Sequence, residues 1–155
     1  MGKIVIIMGS KKDLPHADKI ANKVREFGVE CTLRVASAHK TPEQVLDILR
    51  EYEHANVVYI TVAGKSDALS GLVDANTTQP VIACPPPSDK FATVDIFSIL
   101  RMPTGVTPMV VLNPENAAIA AIKVLGVVDT GLRDKIKKYQ HTQKEALKRA
   151  DTELK

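Results

Sequence analysis

Two apolar runs of strand length constrain the fold of this chain more than any other feature. Lys3–Met8 reads KIVIIM and Val57–Val62 reads VVYITV, and both are almost entirely apolar. Continuous apolar runs of this length are typical of strands that are covered on both faces, as in a parallel sheet. The sequence therefore predicts a central sheet with helices packed on each side.

The rest of the chain alternates between shorter apolar runs and segments with helical spacing. Three further strands are predicted at 31–35, 80–83 and 109–112. Helices are predicted at about 14–27, 42–53, 67–76, 94–102, 114–125 and 132–154. This alternation implies a three-layer α/β/α domain with a flavodoxin-like parallel sheet of about five strands and an extra C-terminal helix. No repeat or linker divides residues 1–155, so we expect one domain.

Charge and composition exclude several classes of protein. The formal net charge is only +3, and residues 131–155 hold eight Lys/Arg against four Asp/Glu, so the basic surplus lies in the tail. Cys31 and Cys84 are too few for a disulfide framework or a zinc site, and we expect reduced thiols and no metal. No run is long enough for a bilayer, and no signal-peptide pattern follows Lys3. We expect a cytoplasmic protein with no nucleic-acid or membrane partner.

Polar residues follow the predicted strands at the point where each strand ends. They are Gly9-Ser10, Ser37-Ala38-His39, Gly64-Lys65-Ser66 and Ser88-Asp89. Ligands of open parallel sheets bind outside the carboxyl ends of the strands, so these segments should converge on one crevice.

The turn after the second strand combines a hydroxyl, an imidazole and an ammonium group. Ser37, His39 and Lys40 precede Thr41-Pro42, a favourable helix start, and Gln44 completes a capping-box pattern. Helical N–H groups and a lysine suit an anionic ligand, and the same surroundings favour a neutral imidazole that can act as a general base. The alternative is a histidine that only shapes the turn.

Each of the other motifs has a structural interpretation as well as a functional one. Gly9–Asp13 lacks a dinucleotide fingerprint and a P-loop. It is either an ordinary turn, with Ser10 and Asp13 as candidate helix caps, or a phosphate and sugar site. Ala63–Asp67 is either a helix start capped by Ser66 or a second polar turn, and Pro85–Pro87 is either a rigid connection or a wall of the site. The remaining histidines are interpreted as surface residues: His16, His54 and His141.

Taken together, the motifs resemble those of the phosphoribosylaminoimidazole carboxylases (PurE) of purine biosynthesis. The resemblance covers residues 3–128 and continues weakly into the tail. It rests on five segments in order: Met8-Gly9-Ser10-x-x-Asp13, Ser37-Ala38-His39-Lys40, Ala63-Gly64-Lys65-Ser66, Cys84-Pro85-Pro86 and Leu100-Arg101-Met102-Pro103-x-Gly105.

This family has two branches, and the third loop separates them. The branch that rearranges an N-carboxylated ribonucleotide usually reads Ala-Gly-Gly-Ala-Ala-His there, whereas the branch that uses free CO2 reads like Ala-Gly-Arg-Ser-Asn. The loop Ala63–Asp67 has no histidine and resembles the CO2-using branch, as do Lys40 and Cys84-Pro85-Pro86. Lys65 and Asp67 depart from the Arg and Asn of that branch.

The resemblance implies a cofactor-free carboxylation of aminoimidazole ribonucleotide by CO2. It implies that His39 is the general acid and base, that Ser10, Ser37 and Lys40 hold the phosphate, that Asp13 holds the ribose, and that Lys65 and Ser66 orient CO2 or the new carboxylate. Gly9, Ala38 and Gly64 are then substrate-binding through the backbone. The resemblance also implies a homo-oligomer, and family members of this kind form octamers. The narrow stripe of the last helix either packs on its own domain or lies across a partner subunit, and the second is more common for a long terminal helix.

Three other functions are weighed against this one. A response-regulator receiver needs an acidic pair after the first strand and an aspartate after the third, where this chain has Gly9-Ser10 and Ala63-Gly64-Lys65, so it is excluded. A non-catalytic phosphosugar-binding module and a mutase of the N-carboxylated ribonucleotide stay open.

Overall fold

In the computed structural model, which describes residues 2–87 and 95–154, five parallel strands form one sheet in the order β2-β1-β3-β4-β5. The flavodoxin-like order predicted from the sequence is confirmed. The strands are β1 Lys3–Met8, β2 Glu30–Val35, β3 Val57–Val62, β4 Val81–Ala83 and β5 Met109–Val110.

Six α-helices connect or follow these strands in the described part of the chain. They are α1 Leu14–Glu26, α2 Pro42–Glu51, α3 Ala68–Ala75, α4 Ile96–Ile99, α5 Pro114–Leu125 and α6 Thr130–Glu153. A short 3-10 turn at Lys11–Asp13 precedes α1. Each element lies where its pattern predicts it, although α4 and β5 are shorter than expected, and the predicted helix start at Val94 lies outside the described residues.

The two apolar runs are the buried centre of the sheet. β1 pairs with both β2 and β3, and every residue of β3 is buried. One core packs the sheet against α1, α5 and the start of α6, and the other packs its opposite face against α2 and α3. The strands read as continuous apolar runs because both faces are covered.

Local capping differs from the sequence prediction at three helix starts. The Thr41–Gln44 capping box is wrong: the Thr41 hydroxyl accepts from the N–H of Ser37 at 2.9 Å, and the Gln44 amide donates to the Val35 carbonyl. Asp13 makes no capping hydrogen bond to α1. The cap of α3 is Asp67 rather than Ser66, and it accepts from the N–H of Ser70. The Thr41 hydroxyl therefore closes the turn before α2 and does not cap that helix.

The tail helix α6 divides into a packed part and an exposed part. Leu132 and Ile136 are buried in the core, and the ring of Tyr139 packs on Phe27 with centroids 5.6 Å apart. From residue 140 to residue 154 every side chain except Glu145 is exposed. The first part of the predicted intersubunit stripe therefore packs on its own chain.

Both cysteines are free thiols, as predicted, with Cys84 buried and Cys31 half-buried. Burial raises the pKa of Cys31 to about 11 and that of Cys84 to about 12. No helix in the described ranges has the length and apolar character needed to cross a membrane.

Candidate active site

A cleft of about 420 Å³ lies at the carboxyl ends of β1, β2 and β3. The turns after these three strands form its walls, so the convergence expected from the topology is present. All ten residues singled out as catalytic or substrate-binding line it: Gly9, Ser10, Asp13, Ser37, Ala38, His39, Lys40, Gly64, Lys65 and Ser66. Lys12, Ala63, Asp67, Ala68 and Leu69 complete the lining.

The turn after β1 brings a hydroxyl and a carboxyl to the cleft. A Cβ at Gly9 would lie 3.3 Å from that of Ala63, so glycine lets the ends of β1 and β3 approach closely. Ser10 accepts from the N–H of Lys12 at 3.2 Å and starts the 3-10 turn that presents Asp13. Burial raises the pKa of Asp13, and a backbone hydrogen bond from Ser10 partly opposes this. A sugar hydroxyl could donate to this carboxyl.

The turn after β2 is held by its own hydroxyl groups. The N–H of Lys40 donates to Ser37 Oγ at 3.3 Å, and the N–H of Thr41 donates to the Ser37 carbonyl at 2.9 Å. This leaves the side chains of His39 and Lys40 exposed on the cleft rim. An imidazole on a turn fixed at both ends can meet a bound ligand and exchange a proton with it.

The turn after β3 carries the backbone strain of the site. Lys65 and Asp67 have φ values of 64° and 37°. In the described part of the chain, they are the non-glycine residues with a positive φ angle. Left-handed backbone of this kind costs about 1–3 kcal/mol per residue and concentrates at functional sites. The N–H of Asp67 closes the turn on the Gly64 carbonyl at 3.3 Å, and the N–H of Lys65 donates to the Asp95 carboxylate. The strained turn therefore faces the cleft with an exposed lysine and an exposed serine.

The sequence assigned no role to two titratable residues of the cleft lining, Lys12 and Asp67, and of these two Asp67 is buried. Its side chain is only 3% exposed. Burial raises its pKa to about 7, two hydrogen bonds from Ser70 oppose that rise, and the nearby charge of Asp95 adds to it. The departure of this position from the asparagine of the CO2-using branch was the one signal in the sequence.

A second cavity of about 420 Å³ lies beside the segment after β4. Pro85–Pro87 line this cavity rather than the first cleft, although a Cβ at Gly64 would approach Pro86 Cγ to 3.9 Å. His16 also lines it, half-buried, with Nε2 3.4 Å from the sulfur of Cys84, so its interpretation as a surface residue is wrong. Burial chiefly lowers the pKa of His16. The predicted contribution of Ser88-Asp89 lies outside the described residues.

The residues of the first cleft suit the binding of a small anion and the transfer of a proton. Three lysines, at positions 12, 40 and 65, surround hydroxyl groups, backbone turns and one imidazole. Charge-assisted hydrogen bonds from such groups favour phosphate or carboxylate. The cleft lies at the carboxyl edge of the parallel sheet, which is where proteins of this α/β architecture bind their ligands.

Comparisons with known proteins identify the family to which this chain belongs. The model of the AIR carboxylase family matches residues 3–146. The phosphoribosylaminoimidazole carboxylase of Archaeoglobus fulgidus is 56% identical over 152 residues, covering 98% of this chain and 84% of the relative. The crystal structure of Treponema denticola PurE superposes with a TM-score of 0.97 at 44% identity, covering 100% of this chain and 99% of that one. The chain therefore belongs to the AIR carboxylase family of purine biosynthesis.

Longer proteins also contain a matching region. A bifunctional phosphoribosylaminoimidazole carboxylase/succinocarboxamide synthetase of Drosophila melanogaster is 41% identical over 153 residues, which cover 97% of this chain but 36% of that protein. The matched region is thus one part of a longer chain in that relative.

Proposed function

We propose that this enzyme joins free CO2 to the ring carbon of 5-aminoimidazole ribonucleotide and forms 4-carboxy-5-aminoimidazole ribonucleotide. The single observation that carries the proposal is the cleft turn Gly64-Lys65-Ser66, which offers an ammonium and a hydroxyl and contains no histidine. The branch that rearranges the N-carboxylated ribonucleotide usually has a histidine in this turn, whereas His39 is the only histidine of the cleft lining within the described residues.

The proposed reaction forms one carbon–carbon bond and breaks one carbon–hydrogen bond. The enamine-like ring carbon attacks the carbon of CO2, and the CO2 π electrons move to oxygen to give a carboxylate. The ring carbon is then tetrahedral and still carries its hydrogen. His39 takes that proton, the electrons of the C–H bond return to the ring, and aromaticity is restored. In the reverse direction the same imidazole donates the proton.

The other cleft residues hold the reactants. Ser10, Ser37 and Lys40 bind the ribonucleotide phosphate, and Asp13 accepts from a ribose hydroxyl. Lys65 and Ser66 orient CO2 and stabilise the new carboxylate. Because CO2 is small and weakly bound, holding it beside the ring carbon is the main contribution of this turn to the rate. No step of this reaction requires a metal, biotin or ATP. We also propose that the enzyme works in the cytoplasm.

The branch assignment is tested by offering both possible substrates. We expect turnover with aminoimidazole ribonucleotide at a rate that rises with dissolved CO2, in the absence of ATP. The assay follows product absorbance, with the N-carboxylated ribonucleotide run in parallel and its spontaneous decarboxylation subtracted. Turnover confined to the N-carboxylated substrate would support the mutase alternative instead.

We also propose that the protein is a homo-octamer in which the exposed part of α6 lies across a neighbouring subunit. Leu147 and Leu154 are 73% and 89% exposed, and Val127 and Val128 just before the helix are 73% and 84% exposed. The proposal is supported by the length of α6 beyond the part that packs on its own core, which leaves a long terminal helix free to contact a second subunit.

Removing the residues after Gln140 is expected to lower the oligomeric mass without unfolding the subunit. The shortened chain keeps Leu132, Ile136 and Tyr139, which are the α6 residues that pack on its own core. Light scattering measures the mass, and circular dichroism provides the control for folding. An unchanged mass would show that the exposed part of α6 does not hold the assembly together.

A further inference from the structure

The buried carboxyl of Asp67 has no function in the reaction described above. It lies at the end of the strained turn that presents Lys65 and Ser66, and it faces the same cleft. Its Oδ2 accepts from the Ser70 hydroxyl at 2.9 Å, and its Oδ1 accepts from the N–H of Ser70 at 3.4 Å. One side chain thus joins the turn to the first residues of α3.

No cation neutralises this carboxyl among the residues that the structure describes. Its hydrogen-bond donors there are the two groups of Ser70, and it takes part in none of the ion pairs. The charge that acts on Asp67 is of like sign: it is the Asp95 carboxylate, which accepts from the N–H of Lys65 on the same turn. A buried carboxylate beside another carboxylate is unfavourable, so this turn is best seated when Asp67 is neutral.

The surroundings contain other groups whose charges must be considered. Those that share the cleft are Lys12, Asp13, His39, Lys40 and Lys65. α3 itself carries Asp74. Of the elements packed on α3, β4 has no titratable side chain, and α4 is preceded by Asp95. The titratable or charged side chains of β3 and α2 are Tyr59, Glu43, Asp47, Arg50 and Glu51. Asp95 is the one of these that acts on Asp67, and the burial of Asp67 acts more strongly.

We propose that Asp67 is a positioning residue, whose neutral carboxyl seats the Gly64–Asp67 turn so that Lys65 and Ser66 can hold CO2 and the new carboxylate. This inference rests on the proposed function of the turn. Ionisation of Asp67 draws the side chain toward water and places a negative charge beside the forming carboxylate. Both effects act against the reaction.

The sign of the pH dependence follows from the raised pKa. Because the carboxyl is neutral below pH 7 and ionised above it, the competent fraction falls as the pH rises through about 7. If only the neutral form is competent, the KM for CO2 rises by about tenfold between pH 6 and pH 8. Asp67→Asn is permanently neutral, keeps an acceptor oxygen and tolerates left-handed backbone, so its KM should stay near the low-pH value throughout.

The experiment measures the KM for dissolved CO2 from pH 6 to 8.5, with saturating ribonucleotide and added carbonic anhydrase so that the CO2 concentration is known. We expect Asp95→Asn to move the midpoint to lower pH, because it removes a like charge. We expect Ser70→Ala to move it to higher pH, because it removes a hydrogen bond to the ionised form. Asp47→Asn, on the exposed face of α2, is the matched control and should leave the profile unchanged.

A direct measurement of the ionisation of the Asp67 carboxyl tests this proposal separately from the proposed function. Carbon-13 NMR of protein labelled at aspartate carboxyls should show one group titrating near pH 7 that Asp67→Asn removes. If the enzyme consumes only the N-carboxylated substrate, the proposed function is wrong, and the same pH series is run with that substrate. A pH profile that persists in Asp67→Asn, or the absence of such a titrating carboxyl, would overturn the positioning role. A purely structural role would lower the melting temperature of Asp67→Asn without changing the pH dependence.

Discussion

His39→Asn is expected to lower turnover by about 10²- to 10⁴-fold, the range typical of general acid–base catalysis. Asparagine is polar and similar in size, but it cannot exchange a proton near neutral pH. His39 is exposed on the cleft rim, and the hydrogen bonds of its turn come from Ser37, Lys40 and Thr41 rather than from the imidazole. The substitution should therefore leave the fold and the affinity for the ribonucleotide nearly unchanged.

Three measurements on the same variant decide the role of His39. Turnover is measured by the carboxylation assay, ribonucleotide affinity by calorimetry, and stability by thermal melting. His54→Asn is the matched control, because His54 is also exposed but lies outside the cleft lining. Near-normal turnover with a lowered melting temperature would indicate a histidine that only shapes the turn.

Lys40→Ala is expected to raise the KM for the ribonucleotide by about 10- to 150-fold, with a much smaller change in turnover. A hydrogen bond to a charged group contributes about 1.5–3 kcal/mol, which corresponds to that range. The phosphate carries its charge in the ground state and in the transition state alike, so the loss falls on binding. Steady-state kinetics over a wide ribonucleotide range separates the two parameters.

The neighbouring surface provides the control for this substitution. Lys11→Ala removes an exposed cation from a turn beside the cleft without touching its lining. We expect its KM to stay within about twofold of the unmodified enzyme, because salt screens the charge of an exposed lysine that does not line the cleft. A large loss of turnover at unchanged KM in Lys40→Ala would assign Lys40 to the chemical step rather than to phosphate binding.

The sequence predicts the sheet well because its signals are local and mutually consistent. The apolar runs of β1 and β3 are long enough to require cover on both faces, and proline begins both α2 and α5 as predicted. Strand order follows from topology rules that need no side-chain detail. The gathering of Ser10, His39 and Lys65 in one cleft follows from the same rules, because the turns after parallel strands share one edge.

The sequence did not predict the contacts between residues that lie far apart in the chain. The contact of His16 with Cys84 joins residues 68 positions apart, and the effect of Asp95 on Asp67 depends on how α4 meets the turn after β3. Their side-chain environments arise from packing rather than from periodicity. The capping-box prediction failed for a related reason, since Thr41 Oγ1 had a second available donor in the N–H of Ser37.

The two free thiols have a practical consequence for chemical labelling. Only the thiolate reacts readily with alkylating reagents, and pKa values of about 11 and 12 leave a very small thiolate fraction at pH 7.5. A single cysteine introduced at an exposed position of α2, such as Asp47→Cys, would react far faster than either native thiol. The native sequence can therefore carry a fluorophore or spin label at a chosen position without the removal of Cys31 or Cys84.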